Sequence, residues 1–490
     1  MSHPRGFSFL WREICASDVL AVRESNARAG TTRFLRTLRG LMGTLMKQPF
    51  SGFVLVCLLL SALARGSAQT PDASAVPWVE WDRATEHVVS AAGDAGAAYP
   101  RAKQLSNGEI LLAYHCGAGL GDYGAAITLR KSRDGGVTWY QTQQIEHARE
   151  RGFWGFSNPD FVELGNGRLL LVCAARGKPD RRSEDEFTSE GRHSGLRIRF
   201  SADYGNTWGP PRMIAAGIGR VWEPSIVRLS GGELEIFYAN ESPDLQAENS
   251  SQCIECIRSR DMGQTWSHGT VVSEDANCRN GMPAALALAN GHVVCSQEVV
   301  GRATSPWIAD TLQGRTDGFH LAQDQYDFGA APFLARAPDG STLLAYHSQE
   351  LQAPNFKHLP MAWMFSQIYV QRGDAEAGNF GPASCPWPPA ANRLTGAFFP
   401  SLLVLNDRTL VALASFISVR PNHSTSTVVR WIQGTLHGVP VAAATGGTAA
   451  VVSPGKKTAA PTGGATSPHR SVASSTLNST SRDEAADGVR

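Results

Sequence analysis

Apolar residues in the middle of this chain come in short runs divided by turn-formers, too short and too regularly punctuated for helices. A proline opens one run and a turn dipeptide closes it seven residues later. Pro100 leads to Asn107-Gly108, Pro159 to Asn166-Gly167, Pro224 to Gly231-Gly232, Pro283 to Asn290-Gly291, Pro332 to Asp339-Gly340 and Pro400 to Asp407. A second apolar run follows each turn, as in Ile110-Leu111-Leu112-Ala113-Tyr114 and Leu234-Glu235-Ile236-Phe237-Tyr238. Asn-Gly and Gly-Gly accept the positive φ of a tight turn, so each pair of runs reads as a β-hairpin. In the first three units a third run ends in Ser-x-Asp-x-Gly-x-Thr-Trp: Ser132 to Trp139, Ser201 to Trp208 and Ser259 to Trp266. Within such a turn the Asp can accept backbone amides, Gly supplies the bend and Trp packs beneath strands.

Six copies of a unit of about four strands, with prolines recurring every 49 to 68 residues, predict an all-β chain folded as a six-bladed propeller. The fourth and fifth units carry degenerate boxes around Gly314 to Gly318 and at Gly373-Asp374. Val79-Glu80-Trp81 is placed to complete the last blade and close the ring. The propeller is expected over 77–438. Residues 1–45 form an extension with no repeat, which an over-called start codon would explain. Residues 46–68 read as a secretory signal peptide, with Met46-Lys47, the apolar run Phe53 to Leu63 and small residues at Gly66-Ser67-Ala68. An uncleaved signal anchor is the other reading, but the run is short for a span of about 20 residues. A secreted or periplasmic protein, monomeric and off the membrane once cleaved, is the expectation. Residues 439–490, rich in Ala, Gly, Thr, Ser and Pro, cannot bury a core and read as a disordered tail.

Net charge is +1 with no basic stripe, so nucleic acid is not indicated as a partner. Of nine cysteines, seven follow the presumptive cleavage point. Cys253 and Cys256 lie on a strand, where a zinc or redox role is disfavoured, and either could pair with Cys278. No cluster has metal-ligand spacing, and no cofactor is implied.

Topology places the chemistry. The proline-led strand is innermost and the second strand returns, so residues beside each proline and at the end of each returning strand share one mouth. Those are Arg101, Asp160, Glu223 and Phe399, then His115, Asn240, Glu241, Glu298 and Glu350, with the boxes at the opposite end. Glu223, between Trp222 and Pro224, and Glu298, in the adjacent blade, form a carboxylate pair of the kind glycoside hydrolysis needs. Asp122, in the top loop of the first unit, is a rival acid or a turn cap. Arg101 could bind a carboxylate or orient a glutamate. His115 could donate to a sugar or pack in the core.

The boxes resemble the Asp-box of the sialidase superfold, which many activities share. The resemblance implies for a true sialidase a Tyr–Glu nucleophile, an Asp acid and three arginines. Arg101, Asp122 and Glu223 occupy matching places, and Arg279 and Arg420 could complete the grip. Phe399 stands where the tyrosine should be, however, and Tyr238-Ala239-Asn240-Glu241 lacks the second arginine. Tyr99-Pro100-Arg101-Ala102, Val221-Trp222-Glu223-Pro224 with Phe237 to Glu241, and Gly281-Met282-Pro283 with Gln297-Glu298 look more like the exo-arabinanases of glycoside hydrolase family 93. That resemblance implies a retaining exo-enzyme on α-1,5-arabinan or a related neutral glycan. Glu223 would be its acid/base and Glu298 its nucleophile, with Arg101, Asp122, Asp160, His115, Trp222, Asn240, Glu241 and Phe399 around the substrate. A sialidase and a non-catalytic carbohydrate-binding propeller are the alternatives.

Overall fold

The computed structural model describes residues 78–438 except 118–125, 149–152, 154, 178–193, 218–220, 242–251, 276–277, 303–305, 323–328, 349–365, 389–395, 407 and 420–424. The expectations for 1–45, 46–68 and 439–490, and those for Asp122, Glu350 and Arg420, lie outside the described residues. No helix among the described residues is long and apolar enough to cross a membrane.

Six antiparallel sheets follow one another along the chain. Blade 1 holds β1's successors β2 (Ala98–Gln104), β3 (Ile110–Cys116), β4 (Ala126–Ser132) and β5 (Tyr140–His147), β1 itself being Val79–Val88. Blade 2 holds β6 (Gly155–Gly165), β7 (Arg168–Arg176), β8 (Ser194–Ser201) and β9 (Arg212–Gly217). Blade 3 holds β10 (Val221–Arg228), β11 (Leu234–Asn240), β12 (Cys253–Ser259) and β13 (Thr270–Ser273). Blade 4 holds β14 (Arg279–Ala287), β15 (Val293–Val300), β16 (Trp307–Leu312) and β17 (Arg315–Leu321). Blade 5 has three described strands, β18 (Ala330–Arg336), β19 (Thr342–Ser348) and β20 (Gln367–Arg372). Blade 6 takes β21 (Ala397–Val404), β22 (Thr409–Val419) and β23 (Thr425–Leu436), and β1 pairs antiparallel with β23 as its outermost strand. The ring closes through that pairing, as the sequence predicts.

The inner hairpins use two turn designs. In blade 2, Gly165 pairs with Arg168 across Asn166 (φ 53°) and Gly167 (φ 74°), a two-residue turn with both centres left-handed. Blade 1 instead closes a three-residue loop. Leu105 N–H donates to Glu109 O at 2.8 Å, and Gly108 alone is left-handed at φ 86°. Blades 3, 4 and 5 repeat the blade 1 loop.

Apolar clusters occupy the seams. Blades 6 and 1 share Leu112, Tyr114, Val411 and Trp431; blades 1 and 2 share Leu111, Leu129, Phe161 and Leu171. The other four seams are filled alike. Each box tryptophan enters the seam with the preceding blade, and Trp139 meets Trp431 edge-on at 5.7 Å. In all three boxes the Ser hydroxyl accepts the Gly N–H, as Ser132 Oγ does from Gly136 at 2.9 Å, and the Asp accepts both the Thr N–H and the Thr hydroxyl. Blade 5 keeps a disguised copy. Asp374 Oδ1 accepts Gly378 N–H at 2.7 Å, and the Asn379 amide donates to Oδ2 in place of the threonine hydroxyl. No disulfide joins the described cysteines; Cys253, Cys256 and Cys278 each stand as thiols.

Candidate active site

Six residues precede the six inner-strand prolines: Tyr99, Asn158, Glu223, Met282, Ala331 and Phe399. Every one is left-handed, with φ between 45° and 57°. Non-glycine residues rarely adopt that region, and doing so costs about 1–3 kcal/mol each. The cause is a β-bulge. At each site the register against the returning strand skips one residue, as between Ala98/Arg101, Trp222/Ser225 and Gly281/Ala284. Proline, lacking N–H, fits the gap in the ladder.

The bulge turns the N–H of the left-handed residue into the seam, where a side chain from the preceding blade accepts it. His115 Nδ1 takes Asn158 N–H at 3.2 Å, Glu298 Oε2 takes Ala331 N–H at 2.9 Å, His347 Nδ1 takes Phe399 N–H at 3.4 Å and Ser415 Oγ takes Tyr99 N–H at 3.0 Å. These four acceptors hold equivalent register positions, opposite Ala98, Gly281, Ala330 and Phe398. At the seam of blades 3 and 4 the acceptor is Glu223 itself, whose Oε2 takes Met282 N–H at 2.7 Å.

The two glutamates therefore converge on Gly281. A methyl group on Gly281 would stand 3.5 Å from Glu223 Oε2 and 3.7 Å from Glu298 Oε1. Both side chains are half-buried. Each accepts a backbone amide through one oxygen, which fixes the direction of its carboxylate. Beside them Tyr99, Met282, Ala331, Phe398 and Phe399 pack into one buried apolar cluster.

The other sequence candidates divide. Trp222 is 8% exposed and carries the Arg176 guanidinium 4.4 Å above its ring. Arg101 is 4% exposed, sandwiched between the Tyr99 ring at 4.0 Å and the Phe333 ring at 4.8 Å. Asp160 is 3% exposed. Its oxygens accept Ile226 N–H from blade 3 and Phe161 N–H, and Lys103 of blade 1 stands 3.2 Å away, so it is tied to both neighbouring blades. His115 is fully buried against Tyr99. Glu241 is buried and ion-paired with Arg279, while Asn240 donates outward to Glu255 at 3.0 Å. Phe399 is packed edge-on to Tyr99 at 5.6 Å and brings no hydroxyl.

Tyr99 and Arg176 are the site neighbours that the reading of prolines and strand ends passed over. Burial pushes the Tyr99 phenol up, Arg101 pulls it down, and Glu223, Asp160 and Glu298 push it further up. The phenol thus stays protonated among these charges. Tyr99 was legible only as an aromatic before Pro100; Arg176 only as a cation ending a returning strand. Among the described residues no cluster of His, Cys, Asp or Glu could hold a metal ion.

A family model described as a BNR repeat-like domain matches residues 184–350. No curated protein matches the chain. Among solved structures, a protein of unknown function from Dyadobacter fermentans is 18% identical, with 74% of this chain and 100% of that one covered at a TM-score of 0.58. The α-L-arabinanase of Penicillium chrysogenum, solved with arabinobiose, is also 18% identical, covering 70% and 97% at 0.50. A Hadza microbial sialidase is 12% identical, covering 70% and 66% at 0.51. At such identities the likeness establishes the fold, a sialidase-like six-bladed β-propeller, and no more.

Proposed function

We propose that this protein is a secreted glycoside hydrolase in which Glu223 and Glu298 act on an arabinan-like neutral glycan from the chain end, with retention of configuration. The observation that carries the reading is the convergence on Gly281. Both carboxylates lie within 3.7 Å of one point, so their nearest oxygens are at most about 7 Å apart. That bound accommodates the ~5–5.5 Å carboxyl separation of retaining enzymes.

Glu298 Oε2 is engaged by Ala331 N–H, so Oε1, which faces Gly281, is the oxygen placed to attack the anomeric carbon. Glu223, whose carboxylate is oriented by the bond Oε2 accepts from Met282 N–H, delivers a proton to the leaving glycosidic oxygen. In the second step Glu223, now ionised, takes a proton from water; the water oxygen bonds the anomeric carbon as its bond to Glu298 breaks, and both glutamates return to their starting states. The arabinanase neighbour, solved with arabinobiose, supports the choice of sugar.

A sialidase is the second reading. It is favoured by Tyr99, whose ring meets Phe399 edge-on and whose phenol is acted on by Glu223. Burial keeps that phenol protonated and so a poor nucleophile.

Incubation with linear α-1,5-arabinan and a fluorogenic sialoside in parallel separates the two. Arabinobiose release with initial retention of the anomer, followed by NMR, is expected. Sialoside cleavage alone would transfer the assignment to Tyr99, and turnover of neither would reject this reading.

A further inference from the structure

Beside the glutamate pair stands a third side chain that the proposed mechanism does not use. Gln252, one residue before β12, is 5% exposed. Its Nε2 lies 2.7 Å from the same point over Gly281 on which the two carboxylates converge. At that separation an alanine at 281 could not be accommodated without moving the amide, so glycine is what lets the amide reach between the glutamates.

The orientation of that amide is chemically determined. Gln252 Oε1 accepts from Arg279 Nη2 at 2.7 Å, and a guanidinium can only donate. Arg279 is in turn ion-paired with the buried Glu241. A flipped amide would set N–H against N–H. On the other side Gln252 Nε2 donates to Asn280 O at 2.9 Å, and Asn280 N–H returns a bond to Gln252 O at 2.9 Å. One Nε2 proton is thereby used, and the other is left for the gap over Gly281.

From these contacts we infer that Gln252 is a substrate-specifying residue. It presents a fixed N–H donor to a hydroxyl of the sugar unit held between Glu223 and Glu298. The inference rests on the glycan-site reading above and adds a determinant to it. Glu241 and Arg279 are positioning residues that act through Gln252. This also explains why Glu241, at the end of a returning strand, is buried and paired rather than turned to solvent. A site built around a fixed donor rejects sugars lacking the matching hydroxyl, because the donor would be left unpaired.

The test compares Gln252→Met and Gln252→Glu with wild type, using hydrolysis of linear α-1,5-arabinan and binding to a glycan array that carries arabino-oligosaccharides. Gln252→Met keeps the volume and loses the donor. It is expected to melt within a few degrees of wild type and to lose about 10- to 100-fold in kcat/KM and in glycan affinity. Gln252→Glu keeps the acceptor toward Arg279. It is expected to be nearly inactive at neutral pH and to regain activity at lower pH, where its protonated carboxyl supplies an O–H donor. Simple loss of structure would not produce that shift in the pH profile. A folded Gln252→Met enzyme with unchanged turnover and affinity would overturn the inference while leaving the two-glutamate reading intact. Glycan binding without hydrolysis, weakened by Gln252→Met, would uphold the inference and reject the hydrolase. Binding to no glycan on the array would overturn both.

Discussion

Glu298 occupies a position from which other blades clamp the seam. In the equivalent places His115, His347 and Ser415 accept the amide of the next blade's left-handed residue. A candidate catalytic carboxylate has therefore taken over a seam clamp, and the clamp fixes its direction. Glu298→His should keep the clamp to Ala331 and lose the nucleophile. Melting should stay within a few degrees of wild type while turnover falls by about 10³-fold or more; a folded, active Glu298→His enzyme would remove Glu298 from the chemistry. The inward direction of these residues was legible from proline spacing and strand order. Their engagement was not. Asp160 finds its partner in Ile226 and Gln252 in Arg279, and such pairs form only once the blades are in contact. Alternation in the sequence shows which way a residue points, not what meets it there.

At the scale of the element, the box turns and the seam histidine set the response to acid. Hydrogen bonds from Thr138 and Ser132 hold Asp134 down at about 2, and those from Thr265 and Ser259 hold Asp261 down at about 2. Asp203 is lowered by Thr207 and Ser201 against the opposing effect of burial. Folded carboxylates below the unfolded value of about 3.9 contribute stability above that pH and lose it as pH falls toward 2. His347 is pushed down to about 3 by burial. Its neutral form is favoured in the fold, so its contribution is present above the unfolded value of about 6.5 and is lost as pH falls from there toward 3. Melting temperature should decline in two stages, from about pH 6.5 for His347 and from about pH 4 for the boxes. His347→Ser, the solution that blade 6 uses, should flatten the first stage and leave the second. An unchanged first stage in that variant would remove His347 as its source. The three full boxes were plain in the sequence because each residue type is retained. The blade 5 copy was only half visible, since Asn379 replaces the threonine hydroxyl by an amide and Phe380 stands where tryptophan is expected.

At the scale of the whole molecule, ring closure depends on β1, the first described strand. Trp81 packs over Gly434 on β23, leaving no room there for a methyl group, and its Nε1 donates to Ser384 Oγ at 2.8 Å beside blade 5. One side chain thus links the strand that closes blade 6 to the neighbouring blade. Trp81→Ala should cost roughly 2–4 kcal/mol, read as a lower urea midpoint, whereas replacement of the exposed Val137 should cost little. Equal midpoints for the two variants would mean that closure does not limit stability.

Ring closure also sets Tyr99 of blade 1 against Phe398 and Phe399 of blade 6, in a cluster that Met282 of blade 4 and Ala331 of blade 5 join. The central claim is that Glu223 and Glu298, converging above Gly281, perform hydrolysis together. It is tested most directly by turnover of linear α-1,5-arabinan by wild type, Glu223→Gln and Glu298→Gln at matched folded concentration. The account requires arabinobiose from wild type and a loss of about 10³-fold or more in each variant. Full turnover by either variant would contradict it.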